Sequence, residues 1–129
     1  MSETEKYDAV IIGAGIIGCA VALELSRMDH KTINVEMLPA AGYGSTSNSC
    51  AIIRVHYSTE HDTAYAYEGY FYWKDWSGYL DHSGGGELAE FRETGCLVMK
   101  TEGNGYLKKI LANLEALSIP HEHWDTSKI

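Results

Sequence analysis

The chain has 129 residues, room for one modest domain with a core of its own. Ten Lys and Arg against 18 Asp and Glu give a formal net charge of −8, which argues against nucleic acid or an anionic membrane as a partner, because phosphates would be repelled. Nine Tyr and three Trp argue against disorder.

The N-terminal MSETEKYD is polar and has no basic segment before the first apolar run, so no signal peptide is expected. That run is interrupted by Gly13, Gly15 and Gly18, so no membrane span is expected either. Three cysteines (Cys19, Cys50, Cys96) cannot all pair within the chain and show no CxxC spacing. They are read as small core hydrophobes of a cytoplasmic protein.

Asp8 to Ile12 is a short apolar run ending at glycine, as expected of a strand buried on both faces. From Ile16 the apolar residues Ile17, Ala20, Val21, Leu25 and Met28 recur at helical spacing, and the helix is expected to stop near Asp29 and His30. Lys31 to Glu36 reads as a second strand ended before Pro39. This β-α-β order calls for parallel pairing with a right-handed crossover. Residues 40–50 (AAGYGSTSNSC) are small, polar and glycine-bearing, hence a loop, and AIIRVHYS (51–58) reads as extended.

Thr59 with Glu60 and Asp62 marks a helix start, and the helix is expected to run to about Asp81 with Tyr65, Glu68, Tyr72, Trp76 and Tyr79 packed along one side. SGGGE (83–87) is the best internal boundary. Strands are expected near 90–93 and 96–101, then a turn at Gly103-Asn104-Gly105. An amphipathic helix follows through Leu107, Ile110, Leu111, Leu114 and Leu117, stopped by Pro120, with a further short strand at HEHW (121–124). The last residues, DTSKI, read as the start of another element.

Gly13-x-Gly15-x-x-Gly18 lies between the first strand and the helix, and each glycine has a physical reason. Gly13 permits a tight turn, Gly15 lets the backbone approach a pyrophosphate, and Gly18 allows close helix–strand packing. The helix N-terminus adds amides and a dipole suited to the anion. Glu36 comes 18 residues after Gly18, at the end of the second strand. A carboxylate there can accept from both ribose hydroxyls and would repel a 2′-phosphate. These residues indicate an adenine dinucleotide and leave FAD and NAD open. The small hydroxyl-rich loop from Gly42 to Ser49 suits a long cofactor, though an ordinary surface loop has the same composition.

VIIGAGIIGCAVALELS, the acid at Glu36, GSTSNSCAIIR, the Tyr-rich helix and FRETGCLVMKTEG together resemble the start of the D-amino-acid oxidase and sarcosine oxidase superfamily of FAD-dependent oxidoreductases. Among its members they look most like the β subunit of multi-subunit sarcosine oxidases. The resemblance implies an α/β fold: residues 1–82 as the N-terminal part of a Rossmann-like FAD-binding βαβ domain, and 83–129 as the beginning of an α+β substrate domain. It implies that Gly13, Gly15, Ile17 and Gly18 line the FAD pyrophosphate and that Glu36 holds the adenosine ribose. Ser45, Thr46, Cys50, Ala51 and Ile52 would follow the phosphates, ribityl chain and isoalloxazine edge. Arg54 would hold a substrate carboxylate. Ala51 departs from the monomeric members, which carry an arginine there, and this argues against oxygen activation of their kind.

Read from the residues alone, Ile52, Arg54 and His56 share one face of an extended segment, and Arg54 needs a partner, either a ligand carboxylate or an internal acid. His56 is read as a hydrogen-bonded packing residue. His121 and His123 have metal-like spacing but no Cys or Asp beside them, so no metal is expected. The reaction implied is FAD-dependent oxidation of a small amino acid or N-methylated amine by hydride transfer, with no catalytic residue assigned. An NAD-linked dehydrogenase and a non-catalytic nucleotide-binding accessory chain are the rivals. With a single βαβ unit, the 129-residue chain is expected to be inactive alone and to need further strands, from the rest of a longer chain or from another subunit.

Overall fold

Short apolar runs and glycine punctuation place a parallel pair at the N-terminus. The computed structural model, which describes residues 5–84, 86–100, 105–125 and 127–128, contains it. Strands β1 (Ala9–Ile12) and β2 (Thr32–Val35) run parallel, Ala9 opposite Thr32 and Ile12 opposite Val35, joined by helix α1 (Ile16–Arg27). The helix packs on both strands. It ends as expected: Asp29 takes a left-handed conformation (φ 62°) and the His30 amide returns to the Leu25 carbonyl at 3.0 Å. These elements belong to a first compact unit, Met1–Ile52; the second is Ile53–Ile129.

The expectation of strands buried on both faces is corrected. Ala9, Ile11, Thr32 and Asn34 form the half-buried face toward α1, while Val10 (63% exposed), Ile12 (91%) and Val35 (52%) face away from it. One helix covers one face of a two-stranded sheet, and no described element of the unit covers the other.

In the second unit, the Thr59 hydroxyl accepts from the Asp62 amide and starts α2 (Glu60–Lys74), with Glu60 and Asp62 in its first turn. The helix does not continue to Asp81. It breaks at Asp75, whose carboxylate accepts from the Gly78 amide at 3.2 Å and opens the short α3 (Trp76–Tyr79). Tyr72 and Trp76 lie against Tyr79 at 5.0 and 5.4 Å, but Tyr65 is 77% exposed and does not pack as expected. Helix α4 (Tyr106–Ala116) supplies Ile110 and Leu114, which with Ile119 form the core against Val55, Tyr67 and Leu117. Ser118 (φ 53°) reverses the chain before Pro120 is reached, and the Ile119 amide bonds the Leu114 carbonyl at 2.8 Å. The fully buried Thr63 gives its hydroxyl proton to the Thr59 or Tyr57 carbonyl, at 2.8 and 3.2 Å.

Residues 51–57, 90–93, 96–100 and 121–124 are irregular rather than strands; position 101 and the turn residues Gly103 and Asn104 lie outside the described residues. Apolar alternation makes a strand only where a neighbouring edge accepts its hydrogen bonds, and among the described residues only β1 and β2 pair. Ala51 also adopts φ 51°, which interrupts an extended run. All three cysteines are exposed, contrary to the core role expected of them. No helix among the described residues is long and apolar enough to cross a membrane.

Candidate functional site

The first unit holds the site. Gly13 turns the chain off β1 at φ 106°, a conformation that disfavours any side chain. A Cβ on Gly18 would collide with the Gly13 carbonyl oxygen, so the first turn of α1 sits directly on the glycine turn. A Cβ on Gly15 would stand 3.1 Å from the Thr46 hydroxyl. Gly13 and Gly18 therefore serve the turn and the close packing that their spacing suggests, and the group that approaches Gly15 is the Thr46 hydroxyl.

Residues from β2 and the following loop hold this turn. The Ala14 amide donates to Glu36 Oε2 at 2.7 Å, and the Ala14 carbonyl accepts from the Gly42 amide at 2.8 Å. The Ile16 amide, at the start of α1, donates to Thr46 Oγ1 at 3.0 Å, in place of a cap from Gly15. Asn34 Nδ2 donates to the Gly13 carbonyl at 3.0 Å and to the Gly18 carbonyl at 3.3 Å. Among the described residues the amides of Gly15, Ile17 and Gly18 donate to no protein group. Three unpaired N–H groups at one helix N-terminus form a seat for an anion.

Glu36 keeps acceptor capacity to spare. Its Oε2 takes the Ala14 amide and its Oε1 the Leu38 amide at 2.9 Å, leaving further lone pairs on a half-buried residue. Those amides, Ala14 first and then Leu38, hold its pKa below the ordinary value of 4.5, so it is charged at neutral pH.

A groove of about 310 Å³ runs along this turn, lined by Gly13, Gly15, Ile17, Gly18, Ser45 and Thr46 among others. Six of the residues singled out from sequence thus share one surface, with Glu36 bonded to the turn at Ala14. Cys50, Ala51 and Ile52 are exposed and do not line the groove. Arg54 belongs to the second unit, where its guanidinium lies 4.9 Å from the Tyr57 ring centre and, among the described residues, pairs with no carboxylate. His56 is half-buried; burial, then Arg54 and Lys100, lower its pKa and keep it neutral at pH 7, which fits a packing role. His121 Nδ1 lies 2.8 Å from the Ile119 carbonyl, and no metal-holding cluster occurs among the described residues.

Sequence reasoning missed Asn34. The available signal was a polar amide at an inward position of an otherwise apolar strand, which demands a partner.

The FAD dependent oxidoreductase (DAO) family model matches residues 8–129. The chain belongs to this family. The dinucleotide of the DAO family is FAD, which settles the choice that the glycine turn and Glu36 leave open. The chain is 32% identical to human peroxisomal sarcosine oxidase over 123 residues, 94% of this chain and 30% of that protein. The mouse protein of the same name matches at 33% over 124 residues, 95% of this chain and 30% of that protein. A glycerol 3-phosphate dehydrogenase of Caloramator mitchellensis is 37% identical over 57 residues, 44% of this chain and 12% of that protein. The chain thus spans about 30% of the length of the sarcosine oxidases it matches. No solved structure matches it significantly. The free amides, the side-chain-free cradle at Gly13 and Gly15 and the ribose-ready carboxylate at Glu36 fit an FAD of this family.

Proposed function

We propose that this chain is the N-terminal part of an FAD-dependent enzyme that oxidises a small amino acid or N-methylated amine at its C–N bond. The observation that carries this reading is the 32–33% identity to two sarcosine oxidases, sustained over 94–95% of this chain. FAD, when bound, supplies the acceptor for a hydride from the α or methyl carbon of such a substrate.

The chain's own residues bind and orient. The amides of Gly15, Ile17 and Gly18, with the hydroxyls of Ser45 and Thr46, hold the pyrophosphate at the start of α1. Glu36 accepts from the adenosine ribose hydroxyls. Cys50, Ala51 and Ile52 continue along the ribityl chain toward the isoalloxazine edge. Arg54 offers a bidentate fork to a substrate carboxylate; its lack of an acidic partner among the described residues supports that role. Residues 1–82 are the N-terminal part of a Rossmann-like FAD-binding domain, 83–129 begin a substrate domain, and the protein works in the cytoplasm with the remaining strands supplied by further chain or by another subunit.

The test is reduction of bound flavin. The protein, together with the chain or subunit that completes it, is purified with FAD and mixed anaerobically with N-methylglycine, with D- and L-amino acids and with glycerol 3-phosphate. Bleaching of the flavin bands by an amino acid or N-methyl amine is expected. Flavin that glycerol 3-phosphate but no amine reduces overturns the substrate class, and flavin that none of them reduces overturns the reading in favour of a non-catalytic accessory chain.

A further inference from the structure

We infer that Asn34 is a positioning residue for the pyrophosphate seat, an inference that rests on the glycine turn being that seat. Asn34 lies in the middle of β2, on the face toward α1. Asparagine is a poor strand former, so strand propensity does not account for it. Its side-chain amide has two N–H donors, and both are used: one on the Gly13 carbonyl at 3.0 Å, one on the Gly18 carbonyl at 3.3 Å. Both acceptors are carbonyl oxygens, so only the NH2 end of the amide can face them.

The two carbonyls bracket the seat. Gly13 enters the turn and Gly18 closes the first turn of α1, while the unpaired amides at Gly15, Ile17 and Gly18 lie within that span. Glycine-rich backbone has more conformational freedom than any other, so its amides converge on an anion only if something else fixes the peptide planes. A single planar group bonded to both ends does this. It also keeps the Gly13 carbonyl bonded toward β2; a rotated peptide would present an oxygen to the anion and repel it. A Cβ on Gly18 would collide with the Gly13 carbonyl oxygen, the same oxygen that Asn34 holds.

The test uses the 15N-labelled protein together with the chain or subunit that completes it, stripped of FAD, with ADP as probe, because ADP carries the adenosine and pyrophosphate of the cofactor and NMR detects millimolar binding. Wild type is compared with Asn34→Thr, which keeps one donor, and Asn34→Val, which has the shape of Thr and no donor. Val and Thr both favour strands. Asn34→Leu, matched in size, uncharged and without an N–H, makes the same comparison should Val disturb the fold. Titrations run well below the unfolding midpoint, so a residue that only stabilises would lower that midpoint and leave ADP affinity unchanged.

Expected are shifts of the Gly15, Ile17 and Gly18 amides in wild type, affinity weaker by roughly tenfold in Val, about the net worth of one hydrogen bond, and an intermediate value in Thr. Wild-type shifts with equal affinity in Asn34→Val or Asn34→Leu overturn the clamp and leave the seat standing. Wild-type amides that do not respond to ADP overturn the seat, and the clamp with it.

Discussion

The Glu36 carboxylate accepts the Ala14 amide at 2.7 Å, tying the end of β2 to the middle of the glycine turn. Ala14 is the most deeply buried of the first unit's described residues, 8% exposed, so its amide requires a protein partner. One acid therefore organises the turn, and in the proposed reading it also accepts from the ribose.

Glu36 should titrate below its ordinary 4.5, because the charged form is the one the amides favour. A depressed folded pKa gives stability that is present above 4.5 and lost as pH falls through the folded value. The Ala14 amide shift, followed by NMR, should move with a midpoint below 4.5; a midpoint at or above it removes the bond. Glu36→Ala should weaken FAD roughly ten- to a hundredfold in a form of the protein that retains the cofactor. Equal affinity in mutant and wild type would remove the ribose role.

Gly18→Ala should destabilise the first unit by about 1–3 kcal/mol and impair FAD binding, because the new methyl meets backbone rather than a movable side chain. Gly69, inside α2, has open space where its Cβ would sit. Gly69→Ala should stabilise by about 0.5–1 kcal/mol. Thermal unfolding of both variants checks the contrast, and similar midpoints for the two would contradict it.

Arg54→Met in the complete enzyme should raise KM strongly for amino-acid substrates and little for neutral amines, since only the former present a carboxylate. Equal losses on both classes would mark Arg54 as structural.

The 129-residue chain expressed alone should neither turn over sarcosine-like substrates nor unfold in one sharp transition. Val10, Ile12 and Val35 leave an apolar sheet face open to solvent, and such surface binds dyes such as ANS or self-associates. A yellow, active, monomeric protein with a single sharp transition would sink this expectation.

The sequence by itself determined whatever depends on near neighbours along the chain. Gly13, Gly15 and Gly18 marked a turn because their missing side chains matter at once to the backbone. Thr59 marked a cap because its hydroxyl reaches an amide three residues on. The spacing of Ile110 and Leu114 gave α4 its inward face. Tertiary structure decided whatever needs a distant partner. Thr46 bonds Ile16 from 30 residues away and Asn34 reaches Gly13 from 21, so neither contact has a local pattern. Residues 90–93 and 121–124 are expected as strands yet stay irregular, because a strand exists only against an edge that takes its hydrogen bonds. The same holds for burial: apolar composition states that β1 needs cover on both faces, and only the packing of other elements decides which face receives it.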